Sequence, residues 1–164
     1  MKEILKMAVI TVSDKGYRGE REDRSGKYIV EYFKEKGWEI TDHEIVPDEK
    51  DLIAEKLAGI SDKGKANLII TTGGTGFSLR DITPEATEEI IEKRVPGFSE
   101  IIRYEGHKKT PRAILSRGIS GIRKNTLIIN LPGSIKGVKD GLEIIYRSLP
   151  HGIDILAGRD AECG

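Results

Sequence analysis

The sequence predicts an α/β fold, a three-layer sandwich with a mostly parallel central sheet covered by helices on both faces, and three observations carry that reading. Short β-branched runs alternate with segments of helical period. The run NLIITT (67–72) is nearly all apolar, as in a strand buried on both faces. Two glycine corners, GGTG (73–76) and PGS (132–134), directly follow predicted strands, where open α/β sheets form their ligand crevices. With 164 residues, 37% of them hydrophobic, the chain can bury about two-thirds of its unfolded surface, so one domain spanning 1–164 is expected.

The first strand is MAVITVS (7–13), and the polar loop DKGYRGERED after it is long enough to be functional or mobile rather than a plain connector. A helix then runs from Ser25 as N-cap to a stop at Gly37. Residues 38–46 alternate as a second strand, ended by Pro47-Asp48, and DEKDLIAEKLAGI forms an amphipathic helix. Beyond the 67–72 strand, Thr83 fits an N-cap, Pro84 the first helical position and Glu85 an acid of the first turn. Helical segments lie near TPEATEEIIEKR and GFSEIIRYEG, followed by the strand TLIINL (126–131) and one long closing helix from about Ile135 to Leu156.

Composition excludes several classes. Lys plus Arg and Asp plus Glu both total 27, so no global basic field draws the chain to nucleic acid or an anionic membrane. The histidines, His43, His107 and His151, lack zinc-type spacing, and the lone Cys163 has no partner for an internal disulfide, which argues for a reducing compartment. No run is long enough for a membrane helix, and the first residues do not read as a secretory signal, so a cytoplasmic location is expected. The 33% charged content fits heat-adapted ion-pair networks and a well-solvated surface equally.

Gly73, Gly74 and Gly76 permit positive φ and close backbone approach, so successive N–H groups can cradle an anion, with Thr72, Thr75 and Ser78 as hydroxyl donors. A tight turn with no ligand fits three glycines as well. Neither a P-loop nor a GxGxxG pattern is present. Asp81, relieved of capping by Thr83, reads as a hard-cation ligand or as a solvated loop residue; Mg²⁺ takes one or two carboxylates and bridges to phosphates. Asp48 follows another strand end and is the natural second carboxylate, whereas Glu49 fits the first turn of the helix it begins. At the second corner, Gly133 and Ser134 offer an anion site at a helix start, or Ser134 is only the cap. Ser116, Arg117, Arg123 and Lys124 form a local basic cluster, suited to phosphate or merely solvated.

TTGGTG, RDITPEAT, AILSR, GIRKNTLIINLPGS, TVSD and VPDE, in their order and spacing over nearly the whole chain, resemble the molybdopterin adenylyltransferases, which include bacterial molybdenum-cofactor enzymes and the G domain of plant Cnx and gephyrin. The resemblance implies transfer of AMP from Mg²⁺-ATP to the terminal phosphate of molybdopterin, with release of pyrophosphate. It assigns Asp48 and Asp81 the catalytic and metal-binding charge. Ser13 and Asp14, with Asp23, Ser25 and Gly26, match the nucleotide side. Thr72, Gly73, Gly74, Thr75 and Gly76, with Ser116, Arg117, Pro132, Gly133 and Ser134, match the molybdopterin side. A homotrimer and a molybdenum-insertase partner are implied too. A neighbouring branch lacks the DxTPEA pattern that Asp81, Thr83 and Pro84 keep here, and a departure such as Ile135 after PGS touches only local pocket shape. The competing reading is a molybdopterin carrier or scaffold of the same fold that does not adenylylate.

Overall fold

The computed structural model describes residues 3–159, so Cys163 lies outside the described residues. Its centre is a six-stranded sheet in the order β2-β1-β3-β6-β5-β4. The strands are β1 (Lys6–Val12), β2 (Glu39–Val46), β3 (Leu68–Thr72), β4 (Lys93–Arg94), β5 (Ser120–Arg123) and β6 (Thr126–Leu131); the short helix α1 (Asp14–Tyr17) follows β1, and α5 (Pro96–Lys109) lies between β4 and β5. Neighbours among β2, β1, β3 and β6 pair in parallel, whereas β5 runs antiparallel to both β6 and β4. The sheet is therefore mixed and mostly parallel, as the alternation of elements predicts.

Strand alternation splits the core into two layers. Met7, Val9, Leu68, Ile70, Leu127 and Ile129 face one side, where they pack with α2 (Arg24–Glu35), α6 (Ile135–Ile145) and α7 (Leu149–Leu156). Ala8, Ile10, Ile69 and Ile128 face the other, against α3 (Lys50–Asp62) and α4 (Thr83–Ile90). A one-residue slip of β3 would exchange these two sets, so register is set by the two helix layers together. The buried Asn130 donates to the hydroxyls of Thr71 (2.9 Å) and Thr87 (3.0 Å), tying α4 to the sheet.

Three sequence expectations are corrected. The N-cap of α2 is Asp23, not Ser25, and its carboxylate accepts from Gly26 N–H at 2.8 Å. The N-cap of α4 is Ile82; Thr83 is already helical, and its hydroxyl donates to Gly73 O at 2.9 Å. The long closing helix is two helices, α6 and α7, joined by a 3-10 turn at Tyr146–Ser148. Pro150 explains the break, since its missing N–H and its ring cannot follow a helical carbonyl four residues back. The short antiparallel strands β4 and β5, absent from the sequence reading, close one edge of the sheet.

Candidate active site

In the parallel part of the sheet, Thr11 pairs with Thr72 and Thr72 with Leu131, so these strands end at one level. The chain leaves β1 for β2 on one side and later leaves β3 for β6 on the other. The order of strands thus reverses between β1 and β3, the switch point at which such sheets open a crevice. Two hollows occupy this edge. The first, about 720 Å³, is lined by Ser13, Asp14, Asp23, Ser25 and Asp48, with Thr72 and Gly73 beside them. The second, about 770 Å³, is lined by Thr75, Gly76, Ser116 and Pro132, with the apolar side chains of Phe77, Leu115 and Ile144. Gly74, Asp81, Gly133 and Ser134 border both. Of the residues that the family resemblance assigns, only Gly26 and Arg117 line neither.

The acid groups of the first hollow are interlocked. Asp14 N–H donates to Asp48 Oδ2 at 2.8 Å, and Asp48 N–H donates to Asp14 Oδ1 at 3.0 Å. Arg80 forks onto both oxygens of Asp14 at 2.9 and 3.0 Å and also reaches Glu49 at 2.9 Å. The hydrogen bonds from Arg80 hold the Asp14 carboxyl below its ordinary range. Asp48 goes the other way: burial pushes its carboxyl up, and the charges of Asp14 and Asp81 add to the rise against the Asp14 N–H. Sequence reasoning misses Arg80 although it directly precedes Asp81, because nothing local says which acid a loop arginine meets. Among the described residues no three His, Cys, Asp or Glu side chains converge as a metal cage. Asp48 and Asp81 are two crowded carboxylates beside phosphate-sized space, the donor set that suits Mg²⁺ shared with substrate phosphates.

The glycine corner is demanding. Gly73 has φ +99° and Gly74 φ +68°; a Cβ on Gly73 would lie 2.3 Å from Val12 O, and one on Gly74 2.2 Å from Thr83 Oγ1. The hydroxyls expected here as phosphate donors are partly committed elsewhere, since Thr72 donates to Pro132 O at 2.7 Å. Ser25 likewise donates to Gly133 O at 2.8 Å, so both hydroxyls fasten the second corner to the first hollow. Asp81 closes its own turn, accepting from Ser78 N–H at 3.0 Å.

At the start of α2, Asp23 gathers three groups. Thr11 Oγ1 donates to its Oδ2 at 2.8 Å, His43 Nε2 sits 2.9 Å from the same oxygen, and Gly26 N–H takes Oδ1. Burial alone would raise this carboxyl; the hydrogen bonds from His43, Gly26 and Thr11 outweigh it and hold it below the usual range. Thr11 and His43 escape sequence reasoning because each lies on a strand, with no spacing signal linking it to Asp23.

The basic cluster read from 116–124 does not form. Arg123 lies at the β5–β6 turn, by the start of β6, whereas the site is at the end of β6. Its guanidinium forks onto Asp62 at 2.9 Å and donates to Ile90 O. Arg117 is near the site but turned inward: it donates to Gly76 O (2.7 Å) and Asp81 O (2.9 Å) and pairs with Glu85. The cations that border the hollows are others, Lys15, Arg21 and Arg24 on the first and Arg112 and Lys136 on the second.

Residues 8–151 match the family model described as "Probable molybdopterin binding domain". The chain belongs to that family. It is 43% identical over 158 residues to the molybdopterin adenylyltransferase of Helicobacter pylori strain 26695, covering 95% of this chain and 90% of the relative. The crystal structure of the molybdopterin biosynthesis enzyme MoaB from Thermus thermophilus superposes with a TM-score of 0.89 at 44% identity, covering 94% of this chain and 98% of the other. The tungsten cofactor synthesizing protein MoaB from Pyrococcus furiosus gives 0.86 at 37% identity, over 95% and 99% of the two chains.

Proposed function

We propose that this protein is a molybdopterin adenylyltransferase that takes AMP from ATP. The observation that carries the reading is the pair of hollows meeting along Gly74, Asp81, Gly133 and Ser134. Such a pair suits two substrates whose phosphates must approach one another. The first hollow, acidic at its centre and bordered by Lys15, Arg21 and Arg24, fits a polyphosphate with its counter-cation. The second, apolar on one side and carrying Arg112 and Lys136, fits a ring system ending in a phosphate. The relatives named molybdopterin adenylyltransferase support the same assignment.

In the reaction, an oxygen of the terminal phosphate of molybdopterin attacks the α-phosphorus of ATP. A new P–O bond forms there as the bond to the oxygen bridging the β-phosphorus breaks, and pyrophosphate leaves. The nucleophile is ionised at neutral pH, so no strong base is required. The rate comes from holding two polyanions in line and offsetting their charge. Asp48 and Asp81 would hold Mg²⁺, and their mutual crowding, which helps raise the Asp48 carboxyl, is relieved by such a cation. When bound, Mg²⁺ supplies neutralising charge and a template for the phosphates. The Gly73 N–H is taken by Leu131 O, so the backbone N–H groups that would orient phosphate are those of Gly74 to Gly76 and of the Ser134 corner.

The test is to incubate the purified protein with molybdopterin, Mg²⁺ and ATP and to look for adenylylated pterin and pyrophosphate in equal amounts. Molybdopterin binding with no AMP transfer would favour the carrier reading instead.

A further inference from the structure

Asp81 stands where the two hollows meet, yet it sits on the loop 76–81, whose outer residues Phe77 and Leu79 are 72% and 102% exposed. Such a loop needs fastening if its last residue is to hold a fixed position. Arg80 ties the loop outward to Asp14 and Glu49, and Arg117 fastens both of its ends from within. The backbone N–H of Arg117 donates to Thr75 O at 2.8 Å, just before the loop. Its Nε–H donates to Gly76 O at 2.7 Å and its Nη2 to Asp81 O at 2.9 Å, while Nη1 pairs with Glu85. The guanidinium therefore spends a separate nitrogen on each of the first residue of the loop, the last, and the first turn of α4. A planar fork with fixed donor directions can do this; an ammonium cannot.

The guanidinium meets Glu85 through Oε1, while Glu85 Oε2 is covered and takes no hydrogen bond among the described residues. Ser116, the neighbour of Arg117, lines the second hollow, so the brace runs from the rim of that hollow to the carboxylate shared by both.

We propose that Arg117 is a positioning residue, whose guanidinium fork fixes both ends of the 76–81 loop and so presents Asp81 to the substrates. It acts through backbone carbonyls and not on phosphate. The proposal rests on the reading of Asp81 as a site carboxylate, but its structural half can be read without any substrate.

The experiment compares Arg117→Lys and Arg117→Gln with the parent. Hydrogen exchange at the amides of Asp81 and Thr83, which donate to Ser78 O and Gly74 O, is measured in the substrate-free protein. Both variants are expected to exchange there about tenfold faster or more, while the amides of β1 and β3 keep their protection. Transfer is expected to fall about 10- to 100-fold in kcat, with the KM for molybdopterin little changed, because the carboxylate is displaced and the pocket is not. Lysine keeps the charge toward Glu85 and loses the fork, so it should not rescue. Parent-like exchange and kcat in Arg117→Lys would overturn the brace and leave Arg117 as a simple charge partner. A raised molybdopterin KM with normal exchange would overturn it in favour of direct phosphate contact. If Arg117→Gln fails to fold, the lysine variant alone decides. Faster exchange in a protein whose parent transfers no AMP would sustain the brace and count against the proposed activity.

Discussion

Asp14 and Asp48 each donate a backbone N–H to the other's carboxylate, at 2.8 and 3.0 Å. The exchange ties the turn after β1 to the turn after β2, so neither acid can rotate without releasing the other's backbone. It also leaves Asp48 with one carboxylate oxygen, Oδ2, occupied by an N–H. The two acids are thus held close at a cost that Arg80 offsets mainly on the Asp14 side.

That asymmetry predicts opposite effects on activity and stability. Asp48→Asn retains a carbonyl acceptor for the Asp14 N–H and removes a charge that burial and its neighbours disfavour. With its folded pKa raised, the Asp48 carboxylate costs stability as pH climbs through the unfolded value toward the folded one, and costs nothing below the unfolded one. In Mg²⁺-free buffer at pH 7 the variant should melt no lower than the parent. AMP transfer should fall on the order of 100- to 1000-fold in it and in Asp81→Asn, the usual loss on removing one preorganised electrostatic element. Wild-type transfer rates in both variants would sink the metal-carboxylate mechanism.

The glycine corner gives a second test. At Gly74, φ is +68° and a Cβ would fall 2.2 Å from Thr83 Oγ1 and 3.2 Å from Asp48 Oδ1. Gly74→Ala should therefore cost about 1–2 kcal/mol in left-handed strain, and about 1 kcal/mol more as Thr83 is pushed off Gly73 O. Because the severe clash is with one oxygen, Gly74→Ala should cost less in a Thr83→Ala background than alone. A double-mutant cycle by urea unfolding reads this coupling, and strict additivity would contradict it.

The sheet, its two helix layers and the crevice at its strand ends are legible in the sequence because they rest on period-two burial and on glycine after apolar strands. The two-residue β4 and the glycine-containing β5 carry no period to read. Helix starts fail at Ser25 and Thr83 for one reason: both hydroxyls are taken by distant carbonyls, Gly133 O and Gly73 O, so a local capping rule misassigns them. Charge is the least legible feature. Arg117, Arg123 and Arg80 each meet acids 31 to 66 residues away in sequence, and only the fold decides which. Asp48 and Asp81 emerge through the motif resemblance more than through spacing.

The Asp23 knot predicts a pH dependence. Its carboxylate is held below the usual range, so its stabilising effect is fully present above the unfolded value of about 3.9 and is lost as pH falls through the lower folded value. Asp23→Asn keeps a capping oxygen but loses the charge-assisted bonds from Thr11 and Gly26, a loss of about 1.5–3 kcal/mol at pH 7. The gap between parent and variant should stay level from about pH 8 to pH 5 and close only below about pH 4. Chemical denaturation across that range measures it; a gap that already closes above about pH 5 would contradict a carboxylate held below the usual range.

Arg112 and Lys136, and not Arg123, are predicted to hold the phosphate of molybdopterin. Sequence clustering points to Arg117 and Arg123, but Arg123 sits by the start of β6, a strand length of roughly 17 Å from the corner at its end. Its fork onto Asp62 leaves it no role in the hollow. Arg112 and Lys136 border the second hollow, one from the turn before the Ser116 rim and the other from the start of α6. Arg123→Gln should therefore leave the molybdopterin Kd and its salt dependence as in the parent, and lower stability modestly, since exposed ion pairs contribute about 0–1 kcal/mol. Arg112→Gln and Lys136→Gln should each weaken binding about tenfold, the equivalent of one charge-assisted bond of about 1.5 kcal/mol, and together should flatten the dependence on ionic strength. Titrations at low and high salt separate the two sets. A salt-sensitive loss in Arg123→Gln with none in the other two would mean that the phosphate enters from the opposite edge of the sheet, and the two-hollow arrangement would have to be abandoned.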